Sequence, residues 1–233
     1  YPNLALMKIS TYHKNKGNQV EMFIPNKTYD KVYSSKVFTF TPEDQNLPAH
    51  TVKGGTGYGS TITLPSYVEH CMPDYSLYKL DYSLGFVTRG CPRKCAECFV
   101  PDKEGNIEAH ADLEEFIQHR DVVLMDNNIL AHEHGIKQIE KAISMNLRLD
   151  FNQGLDARLI DDSVAKLLSK LKFYKPLRLA CDSLGMMNQV ERAVSLLRYH
   201  NVTPSKYFCY VLVKDIPDAL ERIKLLKKLY IDP

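Results

Sequence analysis

The chain is predicted to be an α/β protein: a partial (β/α) barrel of parallel strands over residues 81–233, behind a small α/β domain over residues 1–80. Two observations carry this. Apolar runs that read as strands begin near Leu84, Val122, Leu147, Leu177 and Tyr207. Amphipathic helix patterns separate the later ones, so strand and helix alternate about every 30 residues, the period of a βα unit. Units of this kind joined by right-handed crossovers make an open or partial barrel. A sixth strand of such a barrel is expected beyond Pro233.

In the first 80 residues, Asn3 is placed to cap a helix whose apolar positions Leu4, Leu6, Met7 and Ile9 continue to Tyr12, with Gly17 as terminator. Gln19 to Ile24 alternates like a strand and turns at Pro25-Asn26. Lys31 to Phe40 is a second strand candidate, rich in Val, Tyr and Phe. A first strand is expected before Tyr1, and residues are expected to be missing at both ends. Gly54-Gly55-Thr56-Gly57-Tyr58-Gly59 lacks the Gly-Lys-Ser/Thr of a Walker loop and opens no clear helix. It reads as a tight turn needing positive φ rather than a phosphate cradle. Residues 65–83 form an irregular connection.

In the second part, helices are predicted over 136–145 (Ile136, Ile139, Ala142 and Ile143 on one face), 162–171 (Val164, Leu167, Leu168, Leu171) and 186–198 (Met186, Val190, Ala193, Val194, Leu197). Asp161 or Asp162 caps the second, and Asn201 follows the third. A last helix over 216–229 gathers Ile216, Leu220, Ile223, Leu226 and Leu229. Its Lys224, Lys227 and Lys228 read as a solvated face.

With 233 residues the chain can bury one good-sized core, or one domain and a small appendage. Its net charge of +2 does not indicate nucleic acid. No apolar run reaches the length of a membrane span and no signal peptide is visible. The cysteine pattern fits a reducing compartment, so a cytoplasmic location is expected.

The chemistry concentrates in residues 84–101. The apolar run Leu84 to Thr88 breaks at Gly90, and Cys91, Cys95 and Cys98 follow with C-x3-C-x2-C spacing. Thiols on one loop leaving a strand can converge on a metal or cluster. Structural zinc wants four ligands, usually in close pairs, and there is no second pair here. Zinc stays open through a histidine such as His110 or His119. A disulfide suits the odd number less well. An iron–sulfur cluster is the favoured reading. Held by three thiolates, it would leave one iron open for chemistry.

Ligands of parallel α/β folds sit at the C-terminal strand ends. The second strand ends in Asp126-Asn127-Asn128 and the third in Asn152-Gln153-Gly154-Leu155-Asp156-Ala157-Arg158. The fourth ends in Asp182-Ser183, which reads as a helix cap. Cys181 and Cys209 read as core thiols, and His132 and His134 as ordinary surface residues.

The cysteine triplet resembles that of the radical S-adenosylmethionine enzymes. The resemblance implies a 4Fe-4S cluster on Cys91, Cys95 and Cys98, whose fourth iron binds the amino and carboxylate groups of S-adenosylmethionine. One electron from the cluster then cleaves the carbon–sulfur bond, giving methionine and a 5′-deoxyadenosyl radical. It also implies an electron donor such as flavodoxin or ferredoxin and a substrate that the sequence does not identify. The chain departs from the family at Glu97, where an aromatic residue usually precedes the third cysteine; here the aromatic is Phe99. On this resemblance Asp126, Asn127 and Asn128 offer acceptors to the ammonium, Arg158 offers a donor fork to the carboxylate, and Asn152 and Gln153 suit the ribose hydroxyls.

Some barrels of the family carry a Rossmann-like N-terminal domain related to cobalamin-binding modules. Residues 1–80 look like a shortened one, with Gly54-Gly55 at the usual glycine pair. No residue marks a cobalamin ligand. Methylthiotransferases of the family have three N-terminal cysteines, and here only Cys71 is present. Two other readings stand beside the enzyme: a non-catalytic zinc- or cluster-stabilised binding module, and an inactive relative that binds a partner.

Overall fold

A computed structural model of the chain describes residues 2–60, 62–96 and 98–233. They fall into two compact units, Tyr1–Asp81 and Tyr82–Pro233.

In the first unit, helix α1 (Leu4–Asn15) is capped as expected: Asn3 Oδ1 accepts from the Leu6 N–H at 3.1 Å. Gly17 follows the helix with φ of +80°. The helix buries Met7, Lys8 and Ser10. The two polar ones are answered, Lys8 by Glu69 at 2.7 Å and Ser10 by Asp74 at 2.5 Å, as burial of polar groups requires.

Strand β1 (Tyr33–Ser35) pairs in parallel with β2 (Val52–Gly54), Tyr33 opposite Val52. The strand expected over 31–40 is therefore shorter, and 19–24 forms none. Its Met22 and Ile24 are each half exposed, so the alternating side chains have no face to cover. The glycine-rich stretch is a turn, with Gly55 at φ +90° and Gly59 at +66°. A Cβ at Gly55 would fall 2.5 Å from the Lys36 carbonyl oxygen, and one at Gly57 would fall 2.6 Å from that of Phe38. Close approach of residues 36–38 is what requires glycine there. A short helix α2 (Ser66–Glu69) and a turn at Tyr75–Leu77 complete the unit.

The second unit alternates as the periodicity predicts. Its strands are β3 (Ser83–Gly85), β4 (Thr88–Arg89), β5 (Glu108–Ala109), β6 (Asp121–Leu124), β7 (Arg148–Phe151), β8 (Lys172–Phe173), β9 (Leu177–Ala180) and β10 (Tyr207–Tyr210). Its helices are α3 (Val100–Glu104), α4 (Glu133–Ser144), α5 (Asp162–Leu168), α6 (Met187–Tyr199) and α7 (Ile216–Lys228). Strands β3, β6, β7 and β8 form one parallel sheet in that order. β9 and β10 pair in parallel, and a bridge from Leu155 to Leu179 sets β9 beside the segment leaving β7. Asp232 bridges in parallel to Phe208. New strands are thus laid down in chain order.

The helices cover a core of Val122, Leu124, Leu149, Leu155, Leu177 and Leu179, into which α4 sends Ile139 and Ala142 and α6 sends Val190, Val194 and Leu197. Asp161 caps α5 through the Val164 N–H at 2.9 Å. Ser183 stands before the turn Leu184–Met186 but makes no side-chain cap bond, so the capping expected of Asp182-Ser183 is absent. His132 caps α4 by accepting from the His134 N–H at 3.1 Å, and His134 bonds the Ala111 carbonyl. Both histidines are half buried rather than surface residues. Among the described residues no helix is long and apolar enough to cross a membrane.

Candidate functional site

Parallel pairing brings the C-terminal ends of β3, β6 and β7 to one side of the sheet, so the segments leaving them meet. The segment leaving β3 is bound first. Asp126, two residues past β6, is buried and turned to it: Oδ1 accepts from the Val87 N–H at 3.1 Å, the Thr88 N–H at 2.5 Å and the Thr88 hydroxyl at 2.7 Å. Asp126 therefore anchors the entry to the cysteine loop. Burial pushes its carboxyl up to about 6 from 3.8, against the pull of those donors.

The sign follows from linkage. In the folded chain the proton is held more tightly than in the unfolded chain. Stability therefore falls as pH rises from the ordinary carboxylate range through about 6, and levels above. Asp126→Asn is expected to gain on the wild type by on the order of 2–3 kcal/mol between about pH 4 and about pH 7. Urea denaturation of both proteins across that range measures it. A difference that does not change with pH would show that the carboxyl is not held protonated by burial.

β4 pairs antiparallel with β5, Thr88 opposite Ala109, and so closes the cysteine loop at its base. Gly90 has φ of +77°, and a Cβ there would fall 2.2 Å from the Asn106 carbonyl oxygen. The Cys91 N–H donates to Gly105 O at 3.2 Å. Glu104, the last residue of α3, reaches back across the base. It accepts from Arg89 at 2.9 Å, the Gly90 N–H at 3.1 Å and the Asn127 side-chain amide at 2.8 Å.

The thiols of Cys91, Cys95 and Cys98 are free; Cys91 is half buried and the other two are exposed. Cys91 Sγ accepts from the Arg93 N–H at 3.4 Å and the Asn128 amide at 3.7 Å. The Cys98 N–H donates to Cys95 O at 3.0 Å. Among the described residues no group of three His, Cys, Asp or Glu side chains is arranged to hold a metal ion. Glu97 lies outside the described residues. His119, one of the histidines considered for zinc, bonds Ser83 Oγ at the start of β3, the far end of that strand from the cysteines.

Asp156 is the second hub. Oδ2 accepts from Arg93 Nε at 3.0 Å, Arg158 Nη2 at 3.0 Å and Asn128 Nδ2 at 3.3 Å; Oδ1 accepts from Arg158 Nε at 2.7 Å. Burial works against its charge, but the Arg158 guanidinium outweighs it and holds the carboxyl below its ordinary value. Among the described residues the buried Asn128 Oδ1 has no hydrogen-bond partner.

The structure thus joins Asn127, Asn128 and Arg158 to the cysteine loop and places Asp126 behind it. Asn152 is tied through its backbone, its carbonyl accepting from Tyr210 Oη at 3.3 Å, and Gln153 is exposed. Among the described residues no hydrogen bond joins either side chain to the Asp156 hub. Thr88, Arg93, Glu104 and Asp156 are the residues that sequence reasoning left out of the candidate site. Apart from the Asp156–Arg158 contact, two residues apart, the bonds that tie them to the site span 14 to 63 positions, beyond any local pattern. No protein-family model matches the chain, and no curated protein matches it.

Proposed function

We propose that this chain is a radical S-adenosylmethionine enzyme acting on an unidentified substrate, with its second unit a partial (β/α) barrel and its first a shortened Rossmann-like domain. The observation that carries this is the meeting of the three-thiol loop with an orphaned acceptor. Asn128 Oδ1 is buried without a donor among the described residues, and leaving a buried acceptor unpaired costs about 1–3 kcal/mol. A bound ammonium would answer it. Two guanidiniums, Arg93 and Arg158, share one carboxylate beside it, so the cluster of side chains carries excess positive charge toward an anionic group. Acceptor and cations together fit the amino-acid end of S-adenosylmethionine.

The residues fit a 4Fe-4S cluster by donor chemistry: three free thiols on one loop that carries no helix or strand among its described residues 91–99. Two N–H donors already point at Cys91 Sγ. Cys91, Cys95 and Cys98 would hold the cluster, which when bound and reduced supplies one electron to S-adenosylmethionine. The chain's own part is to bind and orient. Asn127 and Asn128 offer carbonyl oxygens to the ammonium, Arg158 and Arg93 offer N–H groups to the carboxylate, and Asp126 and Glu104 hold the loop across the strand ends. An electron donor of the flavodoxin or ferredoxin type and a cytoplasmic location belong to the same proposal.

The test is anaerobic reconstitution with iron and sulfide, then dithionite and S-adenosylmethionine. 5′-Deoxyadenosine and methionine are expected in equal amounts. A chain that takes up iron and sulfide but forms no 5′-deoxyadenosine refutes the enzymatic reading. Bound zinc without iron after purification in the absence of oxygen transfers the site to a metal-stabilised binding module.

A further inference from the structure

Glu104 is the acidic group that the ligand chemistry above does not use. It is nearly buried, with 12% of its side chain exposed, and its two oxygens take donors from three segments. Arg89 belongs to β4, Gly90 to the start of the cysteine loop and Asn127 to the end of β6. The Arg89 guanidinium carbon itself lies over the Phe86 ring, 4.0 Å from its centroid.

The bond to Asn127 has a chemical consequence. A carboxylate only accepts, so the Asn127 side chain must turn its NH2 to Glu104. Its carbonyl oxygen is then directed away from Glu104. Asn127 is half buried, between the buried Asp126 and Asn128, so that oxygen can be presented to a ligand. Without Glu104 the amide is free to present either end.

We infer that Glu104 is a positioning residue of this site: it fixes the Asn127 amide so that an acceptor faces the bound molecule, and it ties that amide to the Gly90–Cys91 corner of the cysteine loop. The ligand class it selects is one bearing a protonated amine. This rests on the proposed binding of S-adenosylmethionine for the identity of the ligand, but not for the anchoring itself.

Two measurements test it. In the cluster-loaded chain, Glu104→Ala is expected to weaken S-adenosylmethionine binding about tenfold, the scale of one hydrogen bond to a charged group. It should leave binding of the analogue lacking the amino group within about twofold of wild type. Glu104→Gln, which can still accept through one atom, should fall between. The perturbation of the reduced cluster's electron paramagnetic resonance spectrum by each ligand reports the binding. Equal losses for both ligands would reduce Glu104 to a folding role and overturn the inference.

The second measurement uses the metal-free chain. The Gly90 amide and the Asn127 side-chain amide protons are expected to exchange slowly with solvent in wild type and quickly in Glu104→Ala, while Val122 in β6 is unchanged. Unchanged exchange at both groups overturns the inference whatever the cluster does. If exchange responds as expected but wild type takes up no iron, the anchoring stands and the functional reading fails.

Discussion

Replacing any one of Cys91, Cys95 or Cys98 by alanine is expected to abolish cluster assembly, bringing iron and sulfide after anaerobic reconstitution down to the level of the triple variant. A three-thiolate set has no spare ligand, and neither core cysteine can take over. Cys181 and Cys209 are fully buried. Burial pushes the Cys181 thiol up and the Cys209 thiol up to about 12, and only a thiolate binds metal. Cys181 also contacts the Met187 sulfur within the core. Cys181→Ala should therefore load iron like wild type while losing some stability. Iron and acid-labile sulfide per chain decide the matter. A Cys98→Ala chain that retained its full iron would mean that Cys98 is no ligand and that the C-x3-C-x2-C spacing misleads.

The main alternation of the second unit was legible because its longer helices and central strands answer to a local pattern, whereas the short β4, β5, β8 and α3 do not. A helix pattern such as Val190, Ala193, Val194 and Leu197 needs no knowledge of its partner to be recognised, and those four residues are buried. Cysteine spacing and the polar runs after strands are local in the same way. What was not legible depends on long-range partners. β2 is Val52-Lys53-Gly54, a poor strand by composition, and exists because β1 lies beside it. Residues 19–24 alternate well, but among the described residues no strand pairs with them. In the site, an aspartate at 126 promises an acceptor, yet only the fold shows its donors to be Val87 and Thr88. Glu104, ending a five-residue helix, gives no periodic sign at all.

The last helix shows the same limit, and with it the largest expected effect on stability. Apolar spacing predicts that α7 buries Ile216 and Leu220. Instead these are 66% and 51% exposed, and Arg222 is buried to 1%. Helix α7 is turned so that a guanidinium enters the core, because the C-terminal ends of β9 and β10 leave carbonyls there that need donors. Arg222 donates to Cys181 O, to Leu212 O at 2.9 Å and to Asp218 at 2.6 Å. One planar group with five N–H donors can satisfy acceptors from three segments at once. Arg222→Met fills similar space but leaves the buried Cys181 carbonyl and the partly exposed Leu212 carbonyl without this donor. It is expected to destabilise the fold by about 2–4 kcal/mol, below the 3–5 typical of a fully buried broken pair because Asp218 remains partly solvated. Arg222→Lys should recover only part of this, since one ammonium cannot span the three acceptors. The urea midpoints of the three proteins at one pH, with equal slopes, measure the differences. If Arg222→Met matches wild type, the carbonyls find other donors, and the charge in this core serves some purpose other than stability.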